Sequence, residues 1–210
     1  MASKPIEGAG RQQTQFQQFI KQATNKVVLD VSYAIFTDTP DDEQGFAGLP
    51  EEKIIWTLVD YQRTPHVTLR HFMNASTFRV LAWDILIGRF PRVWTAKDTD
   101  AKRDAGKPVF PHYEEYKGSR NAASQNGKPE ARHLTISMNP DPARDYPWQI
   151  KIERGLGELM GKGAVKMVQV QDTVQILLAD LPMRSIAAEG LEFLQAQRAL
   201  RVSMDNLAML

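Results

Sequence analysis

The stretches VTLRHFMNASTFRVLAWDIL (residues 67–86) and VQILLADLPMRSIAAEGLEFL (residues 174–194) decide the fold. Each opens with an apolar run suited to a strand, passes through a polar residue and continues with helical spacing. In the first, Asn74 or Ser76 can cap a helix with the apolar stripe Phe78, Leu81, Ala82, Ile85 and Leu86, which Gly88 and Pro91 end. In the second, Asp180 is the cap, Pro182 falls near the first helical position, and Met183, Ile186, Ala187, Gly190, Leu191 and Leu194 form the buried stripe. The two stretches share a pattern and almost no identity. A strand-then-helix unit that occurs twice predicts a sheet with its helices packed at one side or end.

Further strands lie ahead of each unit. In KVVLDVSYAIF, residues Val27, Leu29, Val31, Tyr33 and Ile35 alternate with Val28, Asp30, Ser32 and Ala34, the period of a strand. KIIWTLVDYQ from Lys53 is a second strand, and HVTLRHF follows the Arg63-Thr64-Pro65 turn as a third. In the second half, ARHLTISM, WQIKIERG, GAVKMVQV and TVQILLAD read as four strands, with NPDPARDYP as a turn after the first. Residues 1–24 form a polar, Gln-rich N-terminal segment in which Phe16, Phe19, Ile20 and Ala23 have the spacing of a short helix. Residues 25–197 are expected to form a single domain of two strand-rich repeats, 25–90 and 131–197, around a long basic loop over 91–130. Residues 198–210 form a tail, apolar at Leu200, Met204, Leu207 and Leu210, that extends the last helix or binds another subunit.

Composition bounds the class. The chain has 210 residues, 26 Lys+Arg, 25 Asp+Glu and no Cys. It therefore has no disulfide framework and no thiolate nucleophile or thiolate metal ligand. Nothing approaches the roughly 18 consecutive apolar residues of a membrane span, and MASKPIEGAG lacks the apolar run of a secretory signal, so the expected address is cytoplasmic. The near-zero net charge hides an asymmetry. Residues 1–60 carry 5 basic and 9 acidic side chains, residues 61–133 carry 13 and 7, and residues 134–210 carry 8 and 9. A basic middle third can form a patch for a phosphate-bearing partner.

Catalytic motifs are absent. No G-x-S-x-G occurs, and Gly118-Ser119-Arg120-Asn121 does not supply one. His66 and His71 are five apart on an expected strand, point to opposite faces and make poor joint ligands. GLGELMGKGAVK tempts a phosphate-loop reading, but Lys162 rather than Gly stands five after Gly157, and the segment lies between two strands. It reads as a glycine-rich hairpin or bulge. No cofactor and no enzymatic activity are expected. Single-strand nucleic-acid binding fits better, because it needs cations for phosphates and rings for bases. The candidate contacts are Arg70, Arg92, Trp94, Lys97, Lys102, Arg103, Lys107, Tyr113, Tyr116, Lys117, Arg120, Lys151 and Lys166. They come from the middle loop with its borders and from outward strand positions.

Two tandem units of antiparallel strands followed by a helix resemble the Whirly fold, a relative of the transcription-coactivator type of single-stranded nucleic-acid-binding proteins. The resemblance rests on VVLDVSYAIF, IIWTLVDYQ, VTLRHFM and the helix of residues 78–87, then ARHLTISM, WQIKIERG, AVKMVQV, TVQILLAD and the helix from Leu181 to about Gln197. It implies an α+β protein that binds single-stranded DNA or RNA across its sheet faces and forms a homo-oligomer through its helices. The lysine- and glycine-led motif of plant Whirly proteins is absent from the first strand, so no residue role is carried over. Two other readings compete with this one. One is a non-catalytic interaction subunit of a larger nucleoprotein or mobile-element complex. The other is an enzyme with a diffuse site around Asp84, His112 and Glu114.

Overall fold

The computed structural model describes residues 12–13, 16–37, 51–94, 110–119, 128–160 and 165–208. The first sheet holds β1 (Gln12–Gln13), β2 (Gln17–Ala23), β3 (Val27–Thr37), β4 (Glu51–Asp60) and β5 (Val67–Asn74). Both β1 and β2 pair with β3, so this sheet is four strands wide, with β5 at its far edge. The second sheet runs β6 (His112–Ser119), β7 (Glu130–Met138), β8 (Trp148–Leu159) and β9 (Val165–Leu178), in that order. All pairings are antiparallel. Helix α1 (Ala75–Leu86) follows β5 directly, with a short α2 (Phe90–Val93) after it, and α3 (Asp180–Ala208) follows β9. The expected α+β architecture, two antiparallel sheet units each followed by a helix, is present.

Strand parity builds the core. Leu29, Val31 and Tyr33 of β3, Ile54, Trp56 and Leu58 of β4, and Leu69 and Met73 of β5 turn inward. They meet Leu134 and Ile136 of β7, Ile150 and Ile152 of β8, and Val174 and Ile176 of β9 in a single cluster. The helices close it with Phe78, Leu81 and Ile85 from α1 and Met183, Ile186 and Leu194 from α3. Phe19 stacks on Phe193 at 5.2 Å, and Tyr33 meets Phe193 edge-on at 5.4 Å. The two helices approach closely at Gly190, where any added Cβ would overlap the Phe78 ring.

The structure corrects three sequence expectations. Residues 17–23 are a strand rather than a helix. The register steps from Gln18 against Ser32 to Ile20 against Val31, so Phe19 is an extra residue in a bulge. Phe19 and Ile20 both pack against the core, and their adjacent apolar positions imitate helical spacing. The stretch 91–130 is not one loop, because α2 ends in it and β6, the first strand of the second sheet, lies within it. The second unit therefore starts at His112, ahead of residue 131. GAVKMVQV and TVQILLAD belong to one long strand, β9, in which a bulge at Gln171 re-phases the side chains where two strands were expected. The tail continues α3 as far as Ala208.

The glycine-rich segment is the expected hairpin with bulges. Gly155 sits so close to the Gln169 carbonyl of the bulged β9 that a Cβ would collide with backbone. Gly118 and Gly157 leave the room that the Val165 side chain fills.

Candidate nucleic-acid interface

The edge strand β5 sorts its side chains by parity. Leu69, His71 and Met73 face the core, whereas Thr68, Arg70 and Phe72 face the other way. Where β5 approaches β7 and β8 of the second sheet, a groove of about 540 Å³ opens. Thr68, Leu69, Arg70, Phe72, Arg132, Ile152 and Arg154 line it. Three guanidiniums and a phenyl ring thus share one surface, with the buried Leu69 and Ile152 at its floor, and among the described residues no carboxylate belongs to its lining.

Each guanidinium is held differently. Arg132 donates from Nε to Glu130 at 2.6 Å and from Nη1 to the Arg70 carbonyl at 3.3 Å, and its Cζ lies 6.0 Å from the Phe72 ring centroid. Arg154 donates to Asp172 Oδ2 from Nε at 3.2 Å and from Nη2 at 2.5 Å. Arg70 has no carboxylate partner among the described residues, and its Cζ lies 5.9 Å over the Phe16 ring. Phe36 meets Phe72 edge-on at 6.0 Å. Phe16, Phe36 and Phe72 are partly or largely exposed, so rings and cations interleave on one face of the first sheet. Cations beside stacking rings are the two ingredients of a single-strand surface.

Behind the groove, a buried polar pair ties the two sheets together. His71 is completely buried and donates from Nε2 to Glu115 of β6 at 2.9 Å, and Glu115 also takes Lys117 at 2.7 Å. Burial pushes the His71 imidazole below its ordinary value, and its bond to Glu115 only partly opposes this. Burial would raise the Glu115 carboxyl, but the hydrogen bonds from His71 and Lys117 outweigh it and hold the group at about 2. His71 therefore stays neutral and Glu115 ionised at pH 7. This bond ties β5 to β6.

The outer face of the second sheet is built differently. Tyr116 lies flat on His133, with centroids 3.9 Å apart and planes within 3°. His133 contacts Glu153 from Nδ1 at 3.0 Å and Glu114 from Nε2 at 3.3 Å, and Lys151 binds Glu153 at 3.0 Å. Its charges answer one another within the sheet.

The expected contact residues fall into distinct places. Arg70 is in the groove. Lys151 and Tyr116 lie on the outer face of the second sheet, with their partners already supplied. Lys117 serves Glu115, and Lys166 is exposed on the edge strand β9. Arg92 is exposed on α2. Trp94 donates its indole N–H to the buried Asp84 at 2.9 Å and meets Tyr113 edge-on at 5.2 Å. Both rings therefore serve packing, and the expectation that Trp94 and Tyr113 offer open faces for stacking does not match their positions; burial pushes the Tyr113 hydroxyl far up. Lys97, Lys102, Arg103, Lys107 and Arg120 lie outside the described residues. Asp84, His112 and Glu114 do not converge: Asp84 is enclosed in α1 and bound by Arg89, His112 accompanies the Phe110 carbonyl, and Glu114 is on the open face with His133.

Sequence reading missed Arg132, Arg154, Phe16 and Phe72. Phe72 was within reach, being two residues from Arg70 on the same strand face. Arg132 and Arg154 stand directly across β7 and β8 from one another, but only the crossing of the two sheets brings them to β5.

The sequence matches no family model and no curated protein. Solved structures nevertheless share the fold. The chain is similar to the plant transcriptional regulator PBF-2, with a TM-score of 0.51 and 8% identity over 92% of this chain and 88% of that one. It is similar to WHY3 from Arabidopsis thaliana, with a TM-score of 0.52 and 10% identity over 91% and 96% of the two chains. The fold is Whirly-like, as the strand-and-helix repeat implied.

Proposed function

We propose that the protein binds single-stranded DNA or RNA without catalysing a reaction on it, and that the groove beside β5 is the centre of the contact. The observation that carries this reading is the union of Arg70, Arg132 and Arg154 with the Phe72 ring in one opening whose described lining is free of carboxylates. The Whirly-like fold supports the same direction, since one structural neighbour is described as a transcriptional regulator. Cations there meet phosphates and the ring stacks on a base. The test is fluorescence anisotropy with labelled single-stranded DNA, single-stranded RNA and duplex at two salt concentrations. Single strands should bind more tightly than duplex, with affinity falling as salt rises. Absence of binding at low salt would remove the reading.

A second reading rests on a separate observation. Val80, Trp83 and Ile87 are 54%, 56% and 51% exposed and share one face of α1 and the turn after it. An apolar stripe at this spacing is a docking surface for another protein chain. It supports self-association into a homo-oligomer, and it equally suits an interaction subunit of a larger complex. Light scattering across concentrations separates these outcomes: a chain that stays monomeric and binds no nucleic acid favours the interaction subunit.

A further inference from the structure

We infer that the groove beside β5 selects guanine, seating one guanine nucleotide of a single strand with its base on Phe72 and its acceptor edge on Arg70. The inference rests on the reading of this groove as a nucleic-acid site and deepens it.

The groove is too large for a phosphate alone. Its volume of about 540 Å³ falls in the range of pockets that enclose whole small molecules, about 300–1,000 Å³. The half-buried Phe72 ring gives it an apolar wall, which a phosphate cannot use and a base can. Its polar side chains are almost all donors. Arg70 retains a guanidinium without a carboxylate partner among the described residues, while Arg132 and Arg154 are fixed from behind by Glu130 and Asp172. Thr68 is the one side chain of the described lining that can also accept.

A donor-lined pocket chooses bases by their acceptors. Guanine carries N7 and O6 side by side, the pair that a guanidinium grips with two parallel hydrogen bonds. Adenine offers N7 beside an amino donor, which would face Arg70 donor to donor. Thymine lacks two adjacent acceptors. An unpaired cytosine has adjacent acceptors at N3 and O2, but its single ring covers less of Phe72 than a purine does. Guanine alone satisfies both the ring and the fork.

The experiment uses the full chain and a set of thymidine 20-mers carrying one central guanine, adenine, cytosine or 7-deazaguanine. The guanine strand should bind roughly tenfold tighter than the thymidine parent, in line with one bidentate base contact. The 7-deazaguanine strand, which lacks the N7 acceptor, should lose most of that gain. Arg70→Lys keeps the charge but not the planar fork. It should erase the guanine preference, bringing the guanine strand down to the affinity of the thymidine parent for the same variant. Equal affinity for all the strands, a cytosine preference, or an Arg70→Lys variant that weakens every strand alike would overturn the inference and leave Arg70 as a phosphate contact. If no strand binds, the nucleic-acid reading itself fails, which is a different outcome.

Discussion

The groove beside β5 and the outer face of the second sheet use the same kinds of residue to opposite ends. On the outer face, Tyr116 is stacked on His133, His133 lies between Glu114 and Glu153, and Lys151 is paired to Glu153. In the groove, Arg70 has no acidic partner among the described residues and Phe72 forms part of an open wall. A cation already paired to a neighbouring carboxylate gains little from a phosphate, because binding must first break or screen the existing pair. The comparison teaches that an inventory of Lys, Arg and aromatic residues does not locate a binding surface. Among the described groove residues the vacant donor is Arg70, since Arg132 and Arg154 are held by Glu130 and Asp172.

The largest expected effect lies in the clamp behind the groove. His71→Ala removes one of the two donors that serve the Glu115 carboxylate and leaves a cavity in place of a buried ring, and should lower stability by about 3 kcal/mol, read as a drop in the midpoint of urea unfolding. The same pair sets an acid dependence. The folded His71 resists protonation, so the unfolded chain takes up that proton first, and stability falls as pH drops below the ordinary histidine value of 6.5. Glu115 is depressed from 4.5 to about 2, so its contribution is complete above 4.5 and is lost as pH falls towards 2. Both effects act in the same direction, and His71→Gln should abolish the upper one in urea titrations between pH 7 and 5. An unchanged acid profile in that variant would refute the clamp.

Phe72→Ala tests the groove itself. Loss of one base–ring contact should weaken single-strand affinity by about 2 kcal/mol, whereas Tyr116→Ala should change it by less than about 0.5 kcal/mol. Equal losses in anisotropy titrations would erase the distinction between the two surfaces. Arg70→Ala should then reduce the salt dependence of binding by about 0.7 in the log–log slope if Arg70 also neutralises one phosphate, and leave it unchanged if Arg70 contacts only the base. The smallest effect belongs to Lys151→Ala, which should leave both the slope and the affinity nearly as they are, because Glu153 already holds that ammonium.

Much of the fold is legible in the order of the residues. Alternation in residues 27–35 and helical stripes after β5 and β9 read correctly because each reports a single local period against one buried face. The misreadings share one cause. In β6, the inward positions are Tyr113, Glu115 and Lys117, and a strand with acid and base at core-facing positions shows no apolar alternation. Glu115 is tolerated there because Lys117 and His71, the latter 44 residues earlier in the chain, both donate to it. In β2 and β9, bulges at Phe19 and Gln171 break the period that would have announced continuous strands.

The site follows the same logic. The outward position of Arg70 on β5 is read from strand parity, which is a local property. Trp94 and Tyr113 are misplaced by sequence reading because composition cannot say whether a ring near cations faces solvent or the core. The sequence by itself determined the repeated strand-and-helix order and the placing of apolar side chains on one face of each element, since backbone periodicity requires only neighbours in the chain. The tertiary structure alone decided which of the described charges find partners and that Arg70, Arg132 and Arg154 meet around Phe72. Those facts depend on how one sheet edge crosses another, and contacts between residues more than 60 positions apart are set by packing of the whole core.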